Sequence, residues 1–303
     1  MSAFSPLLRY FEEVAEQRSI RRAAERLHIA PSAVTRQIAK FEEMLGTPLF
    51  ERLPRGVRLT SAGEVMLAQV RRMRRDFGSA LQQVDALKGM RRGHVRIGFL
   101  QYMGAQLIPE LIADVQRDYP GVHFSLLSGN APDIVDGVAQ GELDIGLCWA
   151  PPASAPVRRV RSFPVSLGLV VTPHHEWARR ASLPLSACLS QALILPTPDT
   201  EPRRRIDSML RGGSASLRLL AETNSMATMT QLVLAGAGVA IMTRVTVAEQ
   251  IRAGQLVHIP LSDRPLQGLE LALLVRADRT LAPMAALVLD LLDLRFDRCA
   301  GQL

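Results

Sequence analysis

The chain has 303 residues, of which 48% are apolar and 21% are charged, proportions that allow a sizeable core and exclude a disordered or collagen-like chain. Lysine and arginine outnumber aspartate and glutamate by 36 to 29, a formal net charge of +7. Residues 1–93 hold 17 basic and 10 acidic side chains, whereas residues 94–303 hold 19 of each, so the whole excess lies in the first third. This asymmetry predicts a basic N-terminal domain with an acidic partner, followed by a neutral region.

Cysteine usage and hydropathy indicate a cytoplasmic protein. Only Cys148, Cys188 and Cys299 occur, without a CxxC pair, which favours neither a disulfide framework nor a zinc ribbon. Residues 1–10 lack the apolar region of a signal peptide. The longest uncharged stretch, 223–243, is broken by polar residues and glycines, so no membrane span is expected.

Helical periodicity at the start of the chain predicts three short helices. The first is amphipathic, Ser19 offers an N-cap oxygen to the second, and Pro31 fits the first position of the third after the turn 28–30. The residues expected on the buried faces are Leu7, Phe11, Val14, Ala23, Ala24, Leu27, Val34, Ile38, Phe41 and Leu45. Two short helices joined by a tight turn are typical of a helix-turn-helix, whose second helix enters the major groove.

The opposite face of the third helix carries small polar and basic side chains suited to DNA. Arg36 could donate two hydrogen bonds to guanine, and Ser32 and Thr35 could reach bases or phosphates. Lys40 is expected near the phosphate backbone.

The next segment, 48–60, is predicted to form two short strands around the turn 54–56. A hairpin after a recognition helix is a wing, from which Arg52, Arg55 and Arg58 would contact phosphates or the adjacent minor groove. The alternative is that these arginines are solvated charges of a surface hairpin.

Residues 4–64 resemble the DNA-binding module of the LysR-type transcriptional regulators, and the layout is similar to about residue 296. The matching motifs are Ala23-Ala24 with Leu27, Gln37-Ile38, Leu45-Gly46, Leu49-Phe50-Glu51-Arg52 and Leu59-Thr60-Ser61-Ala62-Gly63. The resemblance implies a sequence-specific regulator of transcription that binds double-stranded promoter DNA, responds to a small-molecule effector and contacts RNA polymerase. Pro31 occupies a DNA-facing position where the family commonly has a side chain such as Gln, and Thr35 replaces the usual Ser. Arg36 is therefore expected to make a larger share of the base-specific contacts.

A long helix is predicted after the wing. Ser61 with Glu64 three residues on has the pattern of a capping box. Apolar residues then alternate by 4 and 3, as in a coiled-coil seam, at Met66, Val70, Met73, Phe77, Ala80, Val84 and Leu87. Pairing with the same helix of a second subunit is favoured over packing against the chain's own second half, which predicts a homodimer, with a homotetramer as the expected assembly.

From residue 94 strands and helices alternate, which predicts parallel sheets covered by helices. Two such sets resemble the periplasmic-binding-protein architecture of the family's effector domain. The predicted fold is therefore α/β, with an N-terminal winged helix-turn-helix, a long linker helix and a two-lobed effector domain. The expected boundaries are 1–60 for the DNA-binding domain, 61–88 for the linker, 89–93 for a hinge and 94–303 for the effector domain, with lobe I at 94–165 plus 270–303 and lobe II at 166–269.

The resembled architecture holds its ligand between the lobes, at the carboxyl ends of strands and the N-termini of helices. The residues at these positions are Gln101, Tyr102, Met103, Asn130, Trp149, Thr197, Thr200, Asn224, Ser225 and Thr243. Helix N–H groups with hydroxyl and amide side chains suit a carboxylate, and an aromatic ring could stack on an aromatic acid. Asn130 and Ser225 could instead be simple helix caps. Thr243 departs from the family, which often has Pro there.

The sequence offers little support for an enzyme. The six histidines show no HExxH spacing, so no metal is expected, and Gly236-Ala237-Gly238 lacks the third glycine of a dinucleotide loop. Cys148 lies at the carboxyl end of a predicted strand, where a nucleophile could lie, but no partner histidine is identifiable, and buried packing is favoured. We therefore expect no enzyme activity and no cofactor. A structural DNA binder of the nucleoid type would not need the large neutral region.

Overall fold

The computed structural model describes residues 5–87, 92–101, 107–210 and 217–300, with the backbone alone for residues 82, 85–87 and 296–300. It consists of two compact units, Met1–Val84 and Asp85–Leu303. Among the described helices none is long and apolar enough to cross a membrane.

The first unit contains the predicted helices and wing. Its elements are α1 (Pro6–Gln17), α2 (Ile20–Leu27), α3 (Pro31–Leu45), β1 (Phe50–Leu53), β2 (Gly56–Leu59) and α4 (Ser61–Leu87). The strands pair antiparallel, with Glu51 opposite Arg58. The three helices and the hairpin are confirmed in the order that the sequence predicts.

The core of this unit is built around Phe11. The centroid of its ring lies 5.5 Å from that of Phe41, which it meets edge-on, and 5.4 Å from that of Phe50 in the wing. Ala23 and Ala24 are fully buried, since only small side chains let α2 cross its neighbours closely. The prediction for Leu45 was wrong, because it is the last residue of α3 and lies beyond the reach of the core, 36% exposed.

The cap of α4 differs from the prediction. Ser61 is already helical, and the capping residue is Thr60, whose Oγ1 accepts from the N–H of Gly63 at 3.0 Å. The carbonyl of Thr60 also accepts from the N–H of Glu64 at 2.9 Å. The residue three positions after the cap is therefore Gly63, not Glu64, and the capping box does not form.

The second unit begins with lobe I, a five-stranded sheet in the order β4-β3-β5-β12-β6. The elements are β3 (Arg92–Leu100), α5 (Leu107–Asp118), β4 (Gly121–Gly129), α6 (Ala131–Ala139), β5 (Ile145–Trp149) and β6 (Val157–Val165), joined late in the chain by β12 (Leu269–Arg276) and α11 (Pro283–Ala300). Strands β3, β4 and β5 are parallel as predicted, and β12 runs antiparallel to β5 and β6. Arg92 and Gly93 belong to β3, so the hinge predicted at 89–93 does not include them, and residues 88–91 are outside the described residues.

Lobe II is a second five-stranded sheet in the order β11-β7-β10-β8-β9. Its elements are β7 (Leu167–Val171), α7 (Leu185–Cys188), β8 (Leu193–Pro196), α8 (Glu201–Leu210), β9 (Leu219–Thr223), α9 (Met226–Leu234), β10 (Val239–Thr243), α10 (Ala248–Arg252) and β11 (Val257–Pro260). The chain passes between the lobes twice, from β6 directly to β7 and from β11 to β12.

Two strands were not predicted, β6 and β11, and both are edge strands. Three arginines interrupt the apolar pattern of β6, and Pro164 argues against a central strand. An edge strand tolerates both, because one of its sides needs no hydrogen-bond partner within the sheet.

Candidate functional site

The exposed face of α3 begins with its first residue. Pro31 occupies the N1 position, and Pro31, Ser32, Arg36 and Lys40 are exposed, while Thr35 is half-buried. The hydroxyl of Thr35 donates to the carbonyl of Pro31 at 3.0 Å, so its oxygen remains available as an acceptor. The opposite face holds α3 in the core through Val34, Ile38 and Phe41.

The turn before α3 is fixed by local hydrogen bonds. Ser19 caps α2 as predicted, its Oγ accepting from the N–H of Arg22 at 3.3 Å. His28 has φ of 56°, and its N–H bonds to the last carbonyls of α2, which ends that helix at Leu27. Two helices and a tight turn are thereby held with one face of α3 turned to solvent.

The wing presents three arginines, but they are not equivalent. Arg52 and Arg55 are exposed, whereas Arg58 donates to the Glu51 carboxylate at 2.6 Å on the paired strand. The hydrogen bond to Glu51 raises the pKa of Arg58. The charge of Arg58 is thus partly compensated, and Arg52 and Arg55 carry the uncompensated positive charge of the hairpin.

Helix α4 is anchored to the winged unit, which corrects the predicted seam. Val70 is fully buried in this unit's core and Met66 packs against it, so Val70 cannot form part of a seam with a second subunit. Arg74 lies 3.1 Å from the buried Glu12 carboxylate of α1, and Arg71 lies 3.8 Å from it. Burial raises the pKa of Glu12 despite these arginines.

The apolar seam of α4 is exposed only beyond Val70. Met73, Phe77 and Val84 are 53%, 41% and 46% exposed, and Ala80 is exposed between them. The side chain of Leu87 lies outside the described residues.

A cavity of about 540 Å³ lies between the two lobes of the second unit. The parallel strands β3, β4 and β5 end at it in lobe I, and β8, β9 and β10 end near it in lobe II. Six of the ten predicted effector-binding residues line it, namely Gln101, Asn130, Trp149, Thr200, Asn224 and Thr243. Tyr102 and Met103 lie outside the described residues.

Two predicted residues support the cavity rather than line it. The carbonyl of Thr197 accepts from the hydroxyl of Thr200 at 2.9 Å, which holds Thr200 in place at the start of α8. Ser225 is the N-cap of α9, its Oγ accepting from the N–H of Thr228 at 3.2 Å, so the interpretation as a simple cap is correct for Ser225. Asn130 both caps α6, accepting from Asp133 N–H at 3.0 Å, and lines the cavity.

The sequence prediction missed several lining residues. Thr246 lies in the turn after β10, and its hydroxyl is 2.9 Å from that of Thr243. Asp133, Asp199 and Arg204 also line the cavity. Asp199 lies between the predicted Thr197 and Thr200. The other three lie three or four residues beyond a predicted residue, in the first turn of a helix, where prediction by strand ends does not reach.

Cys148 is buried beside Trp149, which lines the cavity. Burial raises the pKa of the Cys148 thiol to about 12, so it is protonated at neutral pH, and its Sγ donates to the carbonyl of Trp149. The described residues contain no group of three side chains that could hold a metal ion.

A winged helix-turn-helix with an exposed basic face, followed by a two-lobed ligand cavity, defines a DNA-binding transcriptional regulator that responds to a small-molecule effector. Family models match both units: "Bacterial regulatory helix-turn-helix protein, lysR family" over residues 6–64 and "LysR substrate binding domain" over residues 88–296. The chain belongs to the LysR family of transcriptional regulators.

Individual relatives and solved structures agree with this assignment. The chain is 28% identical to the regulator CbbR of Rhodospirillum rubrum, over 92% of each protein. It is 31% identical to the transcriptional dual regulator GltC of Bacillus subtilis, over 80% of this chain and 81% of that protein. A full-length OxyR variant from Pseudomonas aeruginosa superposes with a TM-score of 0.71 at 25% identity, covering 95% and 94% of the two chains. CbnR complexed with its target DNA has the same fold, with a TM-score of 0.65 at 21% identity over 95% and 98% of the chains.

Proposed function

We propose that the first turns of α3 read a promoter sequence through Arg36, assisted by Ser32 and Thr35. Arg36 is exposed on the face that the core leaves free, and its guanidinium can donate two parallel hydrogen bonds to guanine O6 and N7. Lys40, one turn further along α3, contacts the phosphate backbone, and Pro31 packs against the groove wall without a hydrogen bond of its own.

The wing supplies contacts that do not depend on sequence. Arg52 and Arg55 bind phosphates, and Arg58 contributes less because it is paired with Glu51. The net charge of +7 within residues 1–93 supports this role, since counterion release on binding DNA grows with the number of phosphates neutralised.

The linker helix joins two subunits through its exposed stripe at Met73, Phe77, Ala80 and Val84. These side chains recur at coiled-coil spacing, and a seam of this kind is stable when a second helix covers it. Two-fold pairing presents two recognition helices to two half-sites, and two dimers combine into a tetramer. We further propose that the assembly acts in the cytoplasm and contacts RNA polymerase at the promoters it binds.

Within the second unit, residues 94–303 are the receptor for the effector. Its cavity is lined from both lobes, so a ligand that binds there favours one arrangement of the lobes over another and shifts the population of DNA-binding states. A carboxylate group on the effector is favoured by the N-terminus of α9 at the cavity, which carries no acidic residue in its first turn.

The reading role of Arg36 is tested with DNA selected by the wild-type protein from a random library. Arg36→Ala is expected to weaken binding to the selected site by roughly 1–3 kcal/mol while changing binding to random DNA little. The matched control is Arg21→Ala, an exposed arginine on α2 that pairs with Glu25 and lies outside the proposed reading face.

Fluorescence anisotropy at fixed salt gives both affinities for each variant. An equal loss on selected and random DNA would show that Arg36 acts only as a phosphate contact. Arg55→Ala provides the comparison, because it is expected to weaken both DNAs together and to reduce the salt dependence by about one phosphate contact.

A further inference from the structure

Two carboxylates line the cavity from opposite lobes without an ion-pair partner in the described part of the chain. Asp133 lies in the first turn of α6 in lobe I, and Asp199 lies two residues before α8 in lobe II. Both side chains are exposed, and the backbone N–H of Asp133 donates to the side chain of Asn130.

The other charges of the lining do not compensate for these two. Glu201 accepts hydrogen bonds from Arg204 at 3.1 Å and from Arg205 at 3.1 Å, and of these arginines only Arg204 lines the cavity. Three carboxylates and one guanidinium therefore line the cavity, a formal charge of −2. An anionic ligand enters an unfavourable potential, whereas an ammonium group is attracted.

The three helices that begin at the cavity differ in what they offer to an anion. Pro132 in α6 and Pro202 in α8 have no N–H, and both helices carry an acidic residue in the first turn, which opposes an anion there. Helix α9 has no acidic residue in its first turn. The N–H groups of Met226 and Ala227 at its start have no hydrogen-bond partner among the described residues, and Asn224 lines the cavity beside them.

Part of the cavity lining is apolar. Leu100, Trp149, Leu167, Ile241 and Met242 line the cavity and are all buried. At about 540 Å³ the cavity is large enough for a small metabolite with an apolar side chain.

We propose that the effector is an amino acid or a similar zwitterion. This rests on the proposed function, in which the effector binds in this cavity. Asp133 and Asp199 hold the ammonium group, while the start of α9 and the amide of Asn224 hold the carboxylate. The side chain packs against the apolar part of the lining.

The placement of the two aspartates gives the ammonium group a second role. Asp133 belongs to lobe I and Asp199 to lobe II, so a cation bound by both reduces their mutual repulsion and favours the arrangement in which the lobes are closer. A carboxylic acid without the ammonium group lacks this interaction and would leave the lobes apart.

The test uses the full chain and matched sets of ligands that share a carbon skeleton. The twenty protein amino acids are screened by thermal shift beside ammonium-free and carboxylate-free analogues. Examples are L-phenylalanine with 3-phenylpropanoate and 2-phenylethylamine, and L-leucine with 4-methylpentanoate and 3-methylbutylamine. At least one amino acid is expected to raise Tm and to bind at least about tenfold more tightly than its ammonium-free acid in titration calorimetry.

Charge variants separate the ammonium contact from a structural effect. Asp133→Asn and Asp199→Asn are each expected to weaken binding of the amino acid about tenfold and to strengthen binding of the ammonium-free acid. Asp118→Asn, an exposed position on α5 away from the cavity, is the control and is expected to change neither affinity.

Tighter binding of an ammonium-free acid than of its amino acid would overturn the inference and leave the proposed receptor function standing. An equal effect of Asp133→Asn on both ligands would also overturn it. No stabilisation by any member of either series would count against the inference and against the cavity as the effector site.

Discussion

His258 predicts a pH dependence of the stability of the second unit. His258 lies in β11 and is 8% exposed. Its Nε2 is 3.2 Å from the carbonyl oxygen of Met242, a residue that lines the cavity. Burial lowers the pKa of His258 from 6.5 to about 4, the charge of Arg244 lowers it further, and the hydrogen bond to Met242 opposes the shift. The imidazole is therefore neutral in the folded protein at neutral pH and donates from Nε2.

The sign follows from comparing the two states. The unfolded chain binds a proton at His258 near pH 6.5, whereas the folded chain does so only near pH 4, so protonation favours unfolding in this interval. The stabilisation is fully present above pH 6.5 and is lost as the pH falls towards 4. Because one pKa unit corresponds to about 1.4 kcal/mol, the loss amounts to about 3 kcal/mol in all and about 2 kcal/mol by pH 5.

The assay is urea unfolding followed by tryptophan fluorescence. The chain has two tryptophans, Trp149 and Trp177, and both lie in the second unit, so the signal reports that unit in the full chain. His258→Gln keeps an N–H donor for Met242 but cannot be protonated, and the exposed His174→Gln is the control. Wild type and His174→Gln should lose about 2 kcal/mol more than His258→Gln between pH 7 and pH 5. Equal losses in all three proteins would refute the reasoning.

Three further predictions concern other parts of the chain. Phe77→Glu is expected to lower the mass measured by light scattering to that of a smaller assembly, whereas the control Ala68→Glu, at an exposed residue on the opposite face of α4, should leave the mass unchanged. An unaltered mass for Phe77→Glu would mean that the exposed stripe of α4 is not an interface. Gly56→Ala is expected to destabilise the wing by about 1 kcal/mol or more, because Gly56 has φ of 117° and a Cβ there would lie 2.4 Å from the carbonyl oxygen of Arg18. Circular dichroism on heating should show a lower Tm, and an unchanged Tm would contradict the predicted backbone strain. Cys148 is expected to stay unmodified in native protein treated with hydrogen peroxide, because its thiol is protonated and buried; mass spectrometry that found it oxidised before unfolding would contradict this.

The winged unit was predictable because its signals are local. Ser19 as a cap, Pro31 at the start of α3 and the spacing of Val34, Ile38 and Phe41 each depend on neighbours within a few residues. Val70 was assigned to the wrong surface because periodicity shows that a helix has an apolar stripe but not what covers each part of it. Only the packing of α4 against α1 decides that.

The cavity was predictable only where the rule of strand ends applied. Asn130 and Asn224 directly follow strands, Trp149 is the last residue of β5, and all three were found. Asp133 and Thr246 each lie three residues further on, in the first turn of a helix, where the rule of strand ends does not reach. The same limit concealed β6, an edge strand whose arginines interrupt the alternation on which the prediction relied.

The double use of α4 has a consequence for the DNA that the protein can recognise. Its first three turns form part of the winged unit's core through Val70, and Arg74 ties it to Glu12, while the exposed stripe starts at Met73. One continuous helix therefore fixes the angle between the face of α3 proposed to read DNA and the surface proposed to pair subunits. Each residue inserted after Val70 would turn that surface by about 100° and shift it by about 1.5 Å. In a paired assembly, the length of this helix would determine the distance between the two DNA half-sites and their relative rotation about the DNA axis.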